Sequence, residues 1–235
     1  MLRLKRLGVI IPSANSAVEF EFPRLIPSTF SLHFSRIKLT ADTEKQILGL
    51  AKHVPAATQL LLDAGVDVVA FACTSGSFLK GSQYGRKIIS LIKRRGKHVK
   101  ATTTSTAVLK ALKKLNVRKL AVASPYEDWL NRRLQNFLEN NGLKVISIRG
   151  LGVIRNVADI PDEDVHNLVR RTITPESEAV FISCTDLLTL HIISELEKEF
   201  GFPVVSSNQA TLWDMLRLAG FDEKINNVGA LFERA

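Results

Sequence analysis

Val68-Val69-Ala70-Phe71-Ala72-Cys73-Thr74 and Ala179-Val180-Phe181-Ile182-Ser183-Cys184-Thr185 carry one pattern twice: an apolar run, a cysteine, a threonine. Cys73 and Cys184 are the only cysteines of the 235-residue chain. Continuous Val, Ile, Ala and Phe without polar alternation marks a strand buried on both faces of a parallel sheet. The C-terminal end of such a strand is where open α/β sheets bind ligands.

The repeat extends outward from the cysteines. Leu7-Gly8-Val9-Ile10-Ile11-Pro12-Ser13 resembles Leu120-Ala121-Val122-Ala123-Ser124-Pro125-Tyr126, and Pro12 precedes Cys73 by almost as many positions as Pro125 precedes Cys184. Val99-Lys100-Ala101-Thr102-Thr103-Thr104-Ser105 leads into a helix, and so does Val204-Val205-Ser206-Ser207-Asn208-Gln209. Three landmarks in one order predict two similar α/β lobes, each a mostly parallel sheet flanked by helices, related by a pseudo-twofold with the active-site cleft between them. Strands are predicted at Leu7–Ile11, Leu32–Leu39, Val66–Ala72, Val99–Thr102, Leu120–Ser124, Val145–Arg149, Ala179–Ser183 and Val204–Ser206. Helical periodicity fills the gaps at Thr43–Ala64, Thr106–Leu115, Trp129–Asn140, Asp162–Ile173 and Leu187–Phe200. In the first of these, Ile47, Leu50, Ala51, Val54, Ala57, Leu60 and Leu61 fall on one face. Alternating strands and helices imply right-handed crossovers. The first lobe spans 1–116, with a return of 206–235 to it, and the second spans 117–205.

Bulk properties narrow the class. The length supports a real core, and the composition is that of an ordinary globular protein. No apolar run approaches the roughly 20 residues that span a bilayer. Met1-Leu2-Arg3-Leu4-Lys5-Arg6 lacks the features of a signal peptide. The expectation is a cytoplasmic protein with reduced thiols and no membrane contact. The net charge is +9, but Lys93-Arg94-Arg95, Lys113-Lys114, Arg132-Arg133 and Arg170-Arg171 lie late in predicted helices, where cations complement the helix dipole. With no basic tail and no recognition motif, nucleic acid is not expected as a partner; anionic small molecules are attracted by such a surface. A homo-oligomer is compatible with the sequence.

A thiol at each of two equivalent strand ends suits chemistry on one carbon. A thiolate on one side and a thiol on the other can remove and return a proton without a cofactor. Alternatively, one thiolate adds to an activated double bond. Helices opening at Thr74 and Thr185 would put both sulfurs at positive dipole ends. The bland alternative is two small buried hydrophobes. Polar residues gather at the other strand ends. Asn15 can donate two N–H bonds to a carboxylate or cap a helix. Thr74 and Ser75 offer hydroxyls and backbone donors, and Tyr126 a phenol for an oxyanion or merely a packing ring. Asn156 is a ligand donor or a turn residue, and Asp186 reads as a helix N-cap. Gly150-Leu151-Gly152 has Arg155 where a dinucleotide fingerprint needs its third glycine. No phosphate loop or nucleophile elbow occurs, and the five histidines show no zinc spacing, so no metal site is expected.

The paired strand-end cysteines resemble those of the aspartate/glutamate racemase superfamily. Ile11-Pro12-Ser13-Ala14-Asn15, Cys73-Thr74-Ser75-Gly76-Ser77-Phe78, Thr103-Thr104-Ser105-Thr106-Ala107-Val108-Leu109, Ser183-Cys184-Thr185-Asp186-Leu187-Leu188-Thr189-Leu190, and Pro203-Val204-Val205-Ser206-Ser207 with Trp213, are most similar to its arylmalonate decarboxylase and maleate cis-trans isomerase branch. The resemblance implies that Cys184 matches the decarboxylase proton donor and that Thr74, Ser75 and Tyr126 match its oxyanion-stabilising groups. The decarboxylases carry glycine where Cys73 stands. Maleate isomerases have both cysteines and an asparagine like Asn15; Cys73 would match the residue that adds to the double bond, and Asn156 a second carboxylate-binding asparagine. Amino-acid racemases usually show Cys-Asn-Thr and Gly-Cys-Thr-Glu, from which this chain departs at both sites.

The resulting expectation is a cofactor-independent isomerase or racemase of a small carboxylate or dicarboxylate, foremost a maleate-type cis-trans isomerase. Cys73 and Cys184 are its catalytic residues, and Asn15, Thr74, Ser75, Tyr126, Asn156 and Thr185 bind substrate. Decarboxylation of a malonate-type acid is the second reading, racemisation of Asp, Glu or hydantoin-type substrates a third, and a non-catalytic two-lobed binding protein the rival from another class.

Overall fold

The computed structural model describes residues 4–40 and 43–233; the reading of Met1-Leu2-Arg3 lies outside them. In chain order the elements are β1 (Lys5–Pro12), α1 (Ala17–Leu25), β2 (Phe30–Ile37), α2 (Glu44–Gly49), α3 (Val54–Asp63), β3 (Val68–Phe71), α4 (Thr74–Phe78), α5 (Ser82–Arg95), β4 (Lys100–Thr103) and α6 (Thr104–Lys114). There follow β5 (Lys119–Ser124), α7 (Asp128–Glu139), β6 (Lys144–Gly150), α8 (Asp162–Thr172), β7 (Ala179–Ile182), α9 (Ile193–Phe200), β8 (Val204–Ser206), α10 (Ser207–Leu218) and α11 (Ala230–Glu233).

The strands form two four-stranded parallel sheets, ordered β2-β1-β3-β4 and β6-β5-β7-β8. The two orders are the same order shifted by four strands, as an α/β duplication requires. Registers repeat as well: Ile10 pairs with Phe71 in one sheet and Ala123 with Ile182 in the other. One residue beyond each pair, Ala72 N–H donates to Ile10 O and Ser183 N–H donates to Ala123 O, both at 2.8 Å. The cysteines therefore leave equivalent strands at equivalent points. The helices that follow the fourth strands match too, since Thr103 and Ser206 accept from the backbone N–H three residues on, at 3.3 and 3.1 Å.

Strand centres such as Leu7, Val9, Ile10, Val68, Val69 and Phe71 are fully buried, as are Leu120, Val122, Val180 and Ile182. Each large apolar side chain buried this way contributes about 1.5–3 kcal/mol against the cost of ordering the chain. α10, which follows the last strand of the second sheet, packs against α6 and β4 of the first. Asp214 on α10 accepts from Thr102 Oγ1 at 2.6 Å and from Lys110 Nζ at 2.8 Å. No helix among the described residues is long and apolar enough to cross a membrane.

Three local expectations differ from the structure. The segment Thr43–Ala64 is not one helix: α2 ends at Gly49, Leu50–Lys52 tightens into a 3-10 turn, and α3 restarts at Val54. Pro55 lacks the N–H that a continuous helix would need there, and it is well accommodated in a first turn. The break also turns Leu60 outward, 66% exposed, off the stripe that keeps Leu61 buried. Finally, α9 begins at Ile193 rather than Leu187, and the residues between Cys184 and α9 form turns.

Candidate active site

Cys73 and Cys184 line one pocket of about 210 Å³, together with Pro12, Asn15, Thr74, Ser75, Tyr126, Asn156, Thr185 and Asp186. All eight residues singled out from the sequence border it. Neither cysteine is in a disulfide, and both are nearly buried, at 3% and 8% exposure. The pocket reaches each sulfur from the C-terminal ends of the central strands.

The two halves part company just beyond the cysteines. Cys73 caps the short helix α4, and its Sγ accepts from Gly76 N–H at 3.4 Å. Ser75 Oγ lies 3.7 Å from the same sulfur. Gly76 is required here: a Cβ would sit 2.9 Å from Cys73 Sγ and from Leu50 Cδ1. Thr185, in contrast, opens no helix. Cys184 instead adopts φ 125°, a conformation that L side chains rarely enter, and Asp186 N–H donates to its sulfur at 3.4 Å. Only one sulfur thus sits at a helix N-terminus; the other receives its N–H from a turn. Each sulfur thus accepts one backbone N–H, and such a bond is stronger to a charged acceptor than to a neutral one.

The polar residues join the lobes across the cleft. Asn15 Nδ2 donates to Thr185 Oγ1 at 3.3 Å, while Asn15 Oδ1 accepts from Val18 N–H at 3.1 Å. Asn15 thus caps the start of α1 and still borders the pocket. Thr185 Oγ1 donates in turn to Ala72 O, next to Cys73, at 3.3 Å. Asp186 does not cap a helix of its own. Its Oδ1 accepts from Ser16 N–H at 2.8 Å and Ala17 N–H at 3.4 Å, at the start of α1 in the other lobe. Burial raises the Asp186 carboxyl above the usual aspartate range, the two amides and Arg36 pull it down, and Asp159 pushes it up. Arg36 Nη1 holds the loop between β1 and α1 by donating to Ser13 O and Asn15 O at 3.0 and 2.9 Å.

Tyr126 is buried, and Ser183 Oγ donates to its hydroxyl at 3.4 Å. The glycine at 150 serves this tyrosine rather than a nucleotide: a Cβ there would come within 2.1 Å of Tyr126 O and 2.3 Å of Asn131 Nδ2. Asn156 adopts the left-handed conformation, φ 53° and ψ 39°, which asparagine tolerates, and borders the pocket from an exposed loop. Below the pocket floor, Ser207 Oγ accepts from Thr74 Oγ1 at 2.9 Å and from Cys184 N–H at 3.1 Å. This hydroxyl links the two cysteine loops directly. The sequence marks Ser206-Ser207 as a helix start but carries no signal of these partners.

Fold and site define a class: duplicated α/β enzymes with one thiol from each half in a shared cleft. The family model described as arylmalonate decarboxylase matches residues 7–232, and the chain belongs to that family. It is 33% identical over 234 residues to the arylmalonate decarboxylase of Bordetella bronchiseptica, covering 97% of each chain. It is 25% identical to the maleate isomerase of Nocardia farcinica (strain IFM 10152), covering 98% of this chain and 96% of that one. Among solved structures, a Nocardia farcinica maleate cis-trans isomerase variant with cysteine changed to serine and a covalently bound succinylcysteine intermediate superposes with a TM-score of 0.94 at 24% identity, covering 98% and 99% of the chains. A liganded arylmalonate decarboxylase variant, with glycine changed to cysteine and cysteine to serine, gives 0.91 at 32% identity, covering 98% and 100%. The protein is an enzyme of this isomerase and decarboxylase group.

Proposed function

We propose that the protein catalyses cofactor-independent cis-trans isomerisation of a maleate-type dicarboxylate. The observation that carries this reading is a second thiol, Cys73, in the same pocket as Cys184, Asn15 and Asn156. A proton donor alone would need only one sulfur. The Cys73 thiolate adds to one alkene carbon, the electron pair moves to the neighbouring carbon, and the Cys184 thiol protonates it. The carbon–carbon bond, now single, rotates. Cys184 then removes the proton, the carbon–sulfur bond breaks, and the trans acid leaves with both sulfurs restored. Asn15 and Asn156 hold the carboxylates; Thr74, Ser75, Tyr126 and Thr185 stabilise the charge that develops on carboxylate oxygen. A volume of about 210 Å³ fits a molecule of a few carbons and falls below the roughly 300–1,000 Å³ of drug-sized sites.

Arylmalonate decarboxylation is the second reading, favoured by the higher identity to the Bordetella enzyme, 33% against 25%. It uses Cys184 alone. Incubation with maleate, an arylmalonate and chiral 2-substituted acids in deuterated water, followed by NMR, separates these readings. Fumarate from maleate supports the first. A monoacid deuterated at the α-carbon supports the second, and exchange with loss of optical purity points to a racemase. An inert protein contradicts all three and leaves a binding role.

A further inference from the structure

Glu21 is an acid buried to 3% exposure on α1, away from the pocket lining. Three N–H donors meet its carboxylate. Oε1 accepts from Thr189 N–H at 2.5 Å and Leu190 N–H at 2.8 Å, and Oε2 accepts from Asn208 Nδ2 at 2.5 Å. The same Asn208 Nδ2 donates to Thr185 O at 3.1 Å. Asn208 Oδ1 has no hydrogen-bond partner among the described residues, so the amide orientation is set by these two acceptors. One carboxylate of the first lobe thus grips both ends of the turn segment that follows Cys184.

We infer that Glu21 is a positioning residue, which acts through Asn208 and the 189–190 backbone to fix Thr185 and Cys184 against the lobe that carries Cys73. The segment needs such a hold. It has neither helix nor strand to order it between Cys184 and α9, and Cys184 sits at φ 125°. A sparsely populated conformation persists only where its surroundings over-determine it. A buried carboxylate is also a costly way to fill space, since a charge taken out of water must be repaid by hydrogen bonds. Burial raises the Glu21 carboxyl above its ordinary range, against the lowering effect of Leu190, Thr189, Asn208 and His191. Glu21 therefore costs stability and supplies geometry.

Glu21→Gln separates those two effects. The glutamine oxygen can keep the Thr189 and Leu190 amides, but its Nε2 then faces Asn208 Nδ2, donor against donor. A flip of Asn208 relieves that clash and gives up the bond to Thr185 O. Asn208→Ala removes the same link from the other side. The readouts are melting temperature, iodoacetamide alkylation of each cysteine against pH by peptide mass spectrometry, and kcat and KM. In Glu21→Gln we expect a melting temperature little changed, as relief from burying a charge offsets the lost bond, and an alkylation profile for Cys184 moved to higher pH, as the Asp186 N–H is displaced, with Cys73 unaltered. A fall in kcat of about tenfold or more, with KM within about threefold, accompanies it, because small misplacements of a reacting group are costly. Asn208→Ala should shift Cys184 in the same direction. Unchanged alkylation of Cys184 in both variants, or equal shifts at both cysteines, overturns the inference. The kinetic arm rests on the proposed reaction; the alkylation arm does not, so failure of one is distinguishable from failure of the other.

Discussion

Asn15 and Thr185 lie 170 positions apart and meet through a hydrogen bond from Nδ2 to Oγ1 of 3.3 Å. Each follows the end of a strand in a different sheet, and each borders the pocket that holds the two thiols. The bond also fixes the orientation of the Asn15 amide at the pocket wall. Asn15→Ala removes the proposed carboxylate donor and the bond to Val18 N–H together. The expected loss is about 0.5–2 kcal/mol of stability from the missing cap and a rise in KM, read by thermal unfolding and steady-state kinetics. Unchanged KM would remove Asn15 from the substrate site.

Cys73→Gly reproduces the residue that the decarboxylases carry at this place. Isomerisation should vanish, because no sulfur remains to form the adduct, while α-deuteration of an arylmalonate product should persist or increase. Chromatography and NMR of the products decide the matter; loss of both activities would mean that Cys73 supports the fold of the pocket rather than the reaction.

Gly76→Ala drives a methyl group to 2.9 Å from Cys73 Sγ and Leu50 Cδ1. Overpacking of this kind costs about 1–3 kcal/mol, and the displaced sulfur lowers kcat. A fully active, fully stable alanine variant would show that α4 is free to shift.

Cys184 at φ 125° gives a stability test independent of substrate. Glycine enters that region freely, alanine does not. Cys184→Gly should therefore be more stable than Cys184→Ala by about 1 kcal/mol in denaturant unfolding, with neither variant active. The reverse order would contradict the strained conformation.

Asp186 and Glu21 both carry pKa values raised chiefly by burial. From about pH 4 the unfolded chain releases these protons, while the native carboxyls release theirs only at higher pH. Stability then falls as pH rises from the unfolded values through the raised native ones. Asp186→Asn keeps an acceptor for Ser16 and Ala17 without this penalty, so its melting temperature relative to wild type should improve from pH 4 to pH 7. A difference that is flat with pH would show that Asp186 titrates normally.

The duplication is legible in the sequence because parallel strands buried on both faces leave continuous Val, Ile and Ala runs. The central strands occur where those runs lie, and all eight predicted strands are present with ends shifted by at most two residues. Site residues at strand ends, such as Cys73, Asn15 and Tyr126, are legible for the same reason: topology assigns them to one edge. Helix boundaries are harder to read. Periodicity carries through Leu50–Lys52 although the backbone tightens there, and the apolar residues of 187–192 imitate a helix while Glu21 and Asn208 hold them in turns. The Glu21–Asn208 and Ser207 networks join residues far apart in sequence, and no local pattern encodes such partners.

The central claim is that sulfurs from both halves act on adjacent carbons of one substrate. Peptide mass spectrometry of Cys184→Ser after incubation with maleate tests it most directly. The expected result is a succinyl adduct confined to Cys73, absent from the Cys73→Ala, Cys184→Ser double variant, because the carbanion left by sulfur addition takes its proton from water and removal of that proton then lacks the second thiol. Free Cys73 in that experiment, together with maleate turnover surviving in Cys73→Ala, would contradict the account.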